Sequence, residues 1–166
     1  MNRRFAVSII AGAGIGAAQT RTPKVPLAGT WRLVSCVRTH PDGTTSFPWG
    51  QNPVGQIIYL SNGRMSAQIM RPGRSSTVPP GVDYGSSKAP DREIREAVSG
   101  FVSYFGTYSI DDTARRVSHT LEAALVPGWV GTTLVRTFVI DSSGQLILTR
   151  EIPGEKDVLL WRRMAD

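Results

Sequence analysis

The sequence predicts an all-β fold: a single closed or nearly closed antiparallel up-and-down β-barrel of about eight strands, with one short helix and an N-terminal signal segment. Turn signals recur along the chain at the spacing of many short strands. The first and last strands are also expected to pair with each other, because Gly29-Thr30-Trp31 begins the first strand and Trp161-Arg162-Arg163 ends the last. The 166 residues are enough for one domain of ordinary size. An eight-stranded barrel is just wide enough to hold one small ligand.

The first 18 residues have the pattern of a secretory signal peptide. A basic start at residues 2–4 is followed by an apolar run at 5–15 and by small residues at 16–18. The apolar run is too short to cross a bilayer, which needs about 20 residues. We therefore predict a signal peptide at 1–18, a linker at 19–26 and the barrel at 27–166, in an exported protein, periplasmic or secreted. The alternative is an N-terminal arm on a cytosolic protein.

The strands follow from alternating apolar and β-branched residues between turn signals. Asn62-Gly63 favours a type I′ hairpin, and the Pro, Gly and Ser residues of 71–89 predict the longest irregular stretch. At 90–101, Ile94, Val98 and Phe101 recur at helical spacing, so we expect one short helix that covers an opening of the barrel. The predicted strands are 30–39, 56–60, 64–70, 103–110, 116–123, 132–140, 145–151 and 158–164.

The residues at the two ends are expected to close the barrel. Pairing the first strand with the last removes both open edges of the sheet. Trp31 would plug the floor with its indole, and Arg163, which lies on the same side of its strand as Trp161, would stack on that indole and contribute roughly 0.5–2 kcal/mol. Gly29 would leave room for the passing chain. All four residues therefore have predicted structural roles.

Composition argues against several classes of function. The chain has 19 basic and 13 acidic residues; without Arg3 and Arg4 of the signal, the mature charge is 17 minus 13, or +4. The basic residues are scattered along the chain, which disfavours nucleic-acid binding. Cys36 is the only cysteine, so no internal disulfide forms, and burial as a small hydrophobe is expected. With two histidines and one cysteine, no metal site has a recognisable spacing, and no motif indicates a cofactor.

His119 and Arg136 are the strongest candidates for chemistry. His119 shares a strand face with Val117 and Leu121, which directs it into the barrel, where it can orient a ligand oxygen or move a proton. The alternative is a core histidine satisfied by a tyrosine or a carbonyl. Arg136 shares a face with Phe138, and if it points inward it can pair with a carboxylate or an enolate. Otherwise it lies along the outer surface.

Further side chains are candidates for contact with a ligand. The three tyrosines offer rings for packing and hydroxyls for hydrogen bonds, or simply pack within the sheet. Met65 and Gln68 lie on opposite faces of one strand, so one of the two is expected to face the lumen. Trp129 anchors a loop at the rim or contacts the ligand. These candidates are Tyr59, Met65, Gln68, Tyr104, Tyr108 and Trp129.

Short segments spread over nearly the whole mature chain give a family resemblance. Their combined order is specific, although each piece alone is weak. The chain resembles the lipocalin-like domain family of bacteria and fungi, within the broader calycin group. One departure is Thr120, where a second histidine often follows the first. The matching segments are 29–35, Asp42-Gly43, 48–50, 53–55, Ile58-Tyr59, 62–68, Arg71-Pro72, 104–108, His119, 127–131, 136–138 and 161–163.

The resemblance implies a single-domain barrel that binds small hydrophobic molecules. We therefore expect a ligand-binding protein whose partner is a small hydrophobic molecule, without nucleic acid and without an integral membrane segment in the mature chain. The alternative is a cofactor-independent cyclase, isomerase or dehydratase in which His119 is the acid–base and Arg136 or a tyrosine holds the developing oxyanion. In a third interpretation, this is an envelope protein whose loop at 71–89 binds a partner.

Overall fold

The computed structural model describes residues 27–165, which form one antiparallel sheet and a short helix. The predicted signal peptide and linker lie outside the described residues. The strands are β1 (Gly29–Thr39), β2 (Thr45–Ser46), β3 (Val54–Tyr59), β4 (Arg64–Met70), β5 (Phe101–Asp111), β6 (Arg116–Ala124), β7 (Thr133–Ile140), β8 (Leu146–Ile152) and β9 (Glu155–Arg163). The helix is α1 (Asp91–Ser99), and a single 3₁₀ turn spans Pro127–Trp129.

The sheet closes into the predicted eight-stranded barrel. Its strand order is β1-β3-β4-β5-β6-β7-β8-β9, and β9 pairs back onto β1. The two-residue strand β2 is an addition that pairs with the end of β1. Strand β9 begins at Glu155, three residues before its predicted start. Residues 155–157 are charged and show no apolar alternation, but all three pair with β8, and Lys156 and Asp157 also pair with β1.

The two ends of the barrel differ in their connections. Antiparallel strands place successive turns at alternating ends. Tight turns at 60–63, 112–115 and 141–145 lie at one end, together with residues 27–29 and 163, and we call this end the floor. The longer connections at 40–53, 71–100 and 125–132 lie at the other end, with the turn at 153–154, and we call it the mouth.

The floor is closed as the sequence predicts. The guanidinium carbon of Arg163 lies 4.0 Å from the ring centroid of Trp31, and Trp31 itself is fully buried. Arg163 also donates to the carbonyl of Ala28 at 2.6 Å, and the Trp31 indole donates to the carbonyl of Leu27 at 2.9 Å. At Gly29 the φ angle is +133°, and a Cβ there would overlap with Arg163 Nη1. Only glycine fits between the stacked pair and the entering chain.

Helix α1 lies beside the mouth and does not cover it. No helix residue is buried, and none lines the lumen. Instead Ala97 and Val98 border a surface groove with Phe101 and Leu125 on the outside of the barrel. The expectation that the helix covers an opening is therefore wrong, because α1 lies beside β5 and borders this outer groove instead of the lumen. None of the helices within residues 27–165 is long and apolar enough to span a bilayer.

The irregular segment at 71–89 is hydrogen-bonded to the helix through the carboxylate of Glu93. Glu93 accepts hydrogen bonds from the hydroxyl of Ser76 and from both the amide and the hydroxyl of Thr77, at 2.6–2.9 Å. These bonds favour the ionised form and lower the pKa of Glu93, with Thr77 contributing most. The segment is thereby held against α1.

Candidate functional site

The lumen contains a cavity of about 100 Å³ in the half nearest the mouth. Apolar side chains from β3, β4, β5, β8 and β9 form one part of its wall, and polar and charged side chains form the rest. Its rim reaches solvent, since Arg38 and Arg150 each keep 25% of their side-chain area exposed. The lining residues are Cys36, Arg38, Trp49, Ile57, Ala67, Ile69, Val102, Tyr104, His119, Trp129, Arg136, Leu148, Arg150, Asp157, Leu159 and Trp161.

His119 faces the lumen, as its strand alternation predicts, and it is fully buried. Its Nε2 lies 2.8 Å from the hydroxyl of Tyr59, and its Nδ1 lies 3.4 Å from the hydroxyl of Tyr104. A neutral imidazole has one donor and one acceptor nitrogen, so one hydroxyl donates to the ring and the other accepts from it. The arrangement corresponds to a core histidine satisfied by tyrosines that also contributes to a cavity wall.

Burial keeps this group of residues neutral. Loss of water around His119, reinforced by the positive charge of Arg136, lowers its pKa to about 3. Burial likewise raises the pKa of Tyr104, and it raises the pKa of Tyr59 well above the usual value. At neutral pH the three side chains are therefore polar and uncharged. They are suited to orienting a ligand oxygen by hydrogen bonds.

Arg136 also points into the barrel, where it lines the cavity. Its Nη1 donates to the carbonyl of Val135 at 2.9 Å. Among residues 27–165, no acidic side chain lies within ion-pair distance of its guanidinium. Burial lowers the pKa of Arg136 from its ordinary value, which reflects the cost of removing this charge from water.

Beside Arg136, a charged network occupies the mouth end of the cavity. Asp157 accepts two hydrogen bonds from Arg38, at 2.7 Å on Oδ1 and 3.0 Å on Oδ2, and its Oδ2 also lies 2.7 Å from Arg150 Nη2. Glu155 lies 3.1 Å from Arg38 and 3.8 Å from Arg150. This network is absent from the sequence-based predictions, although inward alternation along β9 from Trp161 through Leu159 to Asp157 was a usable signal.

Cys36 is buried, as predicted, but it lies in the cavity wall next to that network. Burial, and after it the negative charge of Asp157, raises the pKa of the Cys36 thiol to about 12. The thiol therefore stays protonated and acts as a small apolar surface. Trp49, from the loop between β2 and β3, is a second lining residue that the sequence did not identify.

The other predicted site residues fall in different places. Tyr104 and Trp129 line the cavity, with their rings 6.3 Å apart in an edge arrangement. Tyr59 and Met65 are buried inside the barrel but are not part of the cavity wall.

Two predicted residues lie away from the cavity. Tyr108 packs its ring against Tyr59 at 4.8 Å and donates to the carbonyl of Leu60 near the floor. Gln68 lies on the outer face, where it accepts from Gln56 at 3.2 Å. Of Met65 and Gln68, it is therefore Met65 that points inward.

The part of the chain that the structure describes shows no candidate metal site. Within residues 27–165, no group of three or more His, Cys, Asp and Glu side chains is placed to hold an ion. His40, the second histidine, hydrogen-bonds to the hydroxyl of Ser46 at 2.9 Å. The chemistry of the cavity is thus that of hydrogen bonds, guanidinium charge and apolar contact.

Comparison with known proteins agrees with this architecture. A family model described as a lipocalin-like domain matches residues 28–164. The 4'-hydroxy-3'-methoxypropiophenone carrier protein ppsC of Aspergillus oryzae is 29% identical over 113 residues, which cover 60% of this chain and 96% of the relative. A closed eight-stranded barrel with a cavity in its lumen fits a ligand-binding domain of this kind. The chain belongs to the lipocalin-like domain family.

Proposed function

We propose that this protein binds and carries a small hydrophobic molecule, with an aromatic ring of the ligand in the lumen. The observation that carries the proposal is the cavity itself, a space inside a closed barrel whose wall joins apolar side chains to a neutral His119–Tyr104 pair. Sites for small molecules are commonly concave, mostly apolar and provided with a few placed polar groups. The relative from Aspergillus oryzae, named as a carrier of an aromatic ketone, supports the same class of ligand.

The volume of the cavity limits what fits. An engineered apolar cavity of about 150 Å³ holds benzene, whereas this cavity has about 100 Å³. A ligand with one ring therefore needs either a small outward shift of the rim or a position that extends through the mouth. Trp49 and Trp129 are placed to make this adjustment, since both line the cavity from connections at the mouth and both are partly exposed.

The geometry gives less support to the enzyme alternative. A general acid–base works best with a pKa near the working pH, but that of His119 is lowered to about 3. Both ring nitrogens also already have tyrosine partners. We therefore expect the ligand to be released chemically unchanged.

Binding is tested by titrating the purified protein with 4'-hydroxy-3'-methoxypropiophenone in a calorimeter. A stoichiometry of one is expected, with loss of binding in Ala67→Leu, because Ala67 is 2% exposed, faces the cavity and gains three carbons in the variant. The matched control is Ser66→Leu, since Ser66 is the preceding residue on β4 and points to the opposite face.

These experiments distinguish a ligand in the lumen from one bound elsewhere, and a carrier from an enzyme. Unchanged affinity in Ala67→Leu would place the ligand outside the lumen and overturn the proposal. Mass spectrometry of the recovered ligand distinguishes a carrier from an enzyme. A product with a changed mass, or a rearranged isomer separated by chromatography, supports the enzyme.

A further inference from the structure

The charged residues of the cavity form a single row across four neighbouring strands. Arg38 on β1 pairs in register with Asp157 on β9, and Asp157 pairs with Arg150 on β8. On the next strand, Arg136 precedes Thr137, whose partner Thr149 precedes Arg150. Arg136 and Arg150 therefore lie at the same level of adjacent strands. All four side chains of the row line the cavity.

The row has more positive than negative charge. Asp157 is shared between Arg38 and Arg150, and Glu155 lies within 4 Å of the same two arginines. Three guanidinium groups thus face two carboxylates, and the excess positive charge belongs to Arg136. A partly buried charge without a counter-ion is unfavourable, and a bound anion removes that penalty.

The same cavity has a surplus of hydrogen-bond donors. The Nε of Arg150 and the Nε1 of Trp161 are both buried and have no acceptor within residues 27–165. Trp161 is only 1% exposed, and both residues line the cavity. An indole N–H and a guanidinium N–H only donate, and buried donors in native structures nearly always have a partner. An acceptor atom bound beside these two side chains would satisfy both donors.

We propose that the preferred ligand is an anion, a small aromatic acid whose carboxylate lies among Arg136, Arg150 and Trp161. A planar carboxylate accepts two hydrogen bonds from a guanidinium and still has lone pairs for further donors. Its ring then packs against Ala67, Ile57 and Leu148, which belong to the apolar part of the wall. The inference rests on the proposed function and specifies its ligand class, because a neutral ketone supplies one acceptor and no charge.

The test compares two probes of the same shape. Wild-type protein is titrated with 4-hydroxy-3-methoxybenzoate and with 4-hydroxy-3-methoxybenzamide, which differ at the carboxyl group alone. Binding of the carboxylate at least about tenfold tighter is expected, as a charge-assisted hydrogen bond is about twice as strong as a neutral one. Equal affinities for the two probes overturn the inference and leave the carrier function standing. Binding of neither probe, with no binding of the propiophenone, overturns both.

Substitutions locate the anion. Arg136→Gln and Arg136→Met are expected to weaken binding of the carboxylate more than binding of the amide, so that the ratio of the two affinities falls toward one, because the charged interaction is removed. Arg162→Gln is the matched control, since Arg162 is an exposed arginine next to Trp161 on the outer face of β9. A preference that persists in both Arg136 variants places the anion elsewhere and overturns the assignment. The wild-type comparison does not depend on whether these variants fold.

Discussion

Trp31 and Trp161 are nearly equal in burial but differ in their hydrogen bonds. Trp31 is 0% exposed and Trp161 1% exposed, and they lie on the paired strands β1 and β9. The indole N–H of Trp31 donates to Leu27, and its ring is covered by Arg163. The N–H of Trp161, a residue of the cavity wall, has no acceptor among residues 27–165. A completely satisfied tryptophan marks the floor that closes the barrel, and an unsatisfied one belongs to the wall of the cavity.

The largest effect is expected where the floor is opened. Trp31→Ala should lower the free energy of unfolding by about 3–5 kcal/mol, because it leaves a large cavity at the point of closure. Urea denaturation measures this loss. Trp129→Ala is the comparison at the rim, where the partly exposed ring contributes about 1 kcal/mol through its edge contact with Tyr104. Equal losses in the two variants would remove the distinction between floor and mouth.

The second prediction is that His119, in the cavity wall, makes the free energy of unfolding depend on pH. The folded protein keeps His119 neutral with a pKa of about 3, against about 6.5 in an unfolded chain. The unfolded state therefore binds more protons below pH 6.5, so this stabilisation is complete above that pH and is lost as the pH falls toward 3. From pH 7 to pH 5 the loss is about 2 kcal/mol.

The control for the acid effect is His119→Gln, which keeps polar atoms between the two tyrosines and does not titrate. Its free energy of unfolding should change less between pH 7 and pH 5 than that of the wild type, by the same amount of about 2 kcal/mol. Parallel pH profiles for the two proteins would show that His119 is accessible to protons in the folded state.

The third prediction is a smaller loss of stability when Gly29, in the floor, is replaced. An added Cβ would be strained by the φ angle of +133° and would displace Arg163 Nη1 from the carbonyl of Ala28. We expect Gly29→Ala to cost about 1–2 kcal/mol. Gly128, near the mouth, has open space around its Cβ position, and Gly128→Ala should be close to neutral. Thermal denaturation of both variants checks the contrast, and a neutral Gly29→Ala would contradict the close approach of Arg163.

The sequence predicted the floor better than the cavity, for a physical reason. Closure depends on a tryptophan, a glycine and an arginine near the ends of the chain, and these are recognisable locally. The cavity wall depends on register across distant strands. A bulge in β1 between Leu33 and Ser35 shifts the alternation that starts at Trp31. Strict alternation would direct Ser35 and Val37 inward, but the structure places Cys36 and Arg38 in the cavity.

The residues that were predicted to face the lumen illustrate the same limit. Alternation directed His119 inward and left Arg136 either inward or on the outer surface; both side chains line the cavity, and β6 and β7 pair around them without interruption. It could not separate Tyr104, which lines the cavity, from Tyr108, which shares its face but packs toward the floor. Depth along the barrel axis is set by the stagger of all eight strands together.

The smallest predicted effect tests the two tryptophans directly. Trp31→Phe removes a donor that has an acceptor, whereas Trp161→Phe removes a donor that has none among residues 27–165. Trp31→Phe also weakens the stack with Arg163, so it should be the less stable variant by at least about 1 kcal/mol, the net value of one hydrogen bond. The effects on binding should be the opposite of the effects on stability. Trp161→Phe should weaken binding of 4-hydroxy-3-methoxybenzoate, and Trp31→Phe should leave it unchanged. If Trp161→Phe binds the carboxylate as well as the wild type does, the unpaired indole is not part of the site, and the difference between the two halves is then one of packing alone.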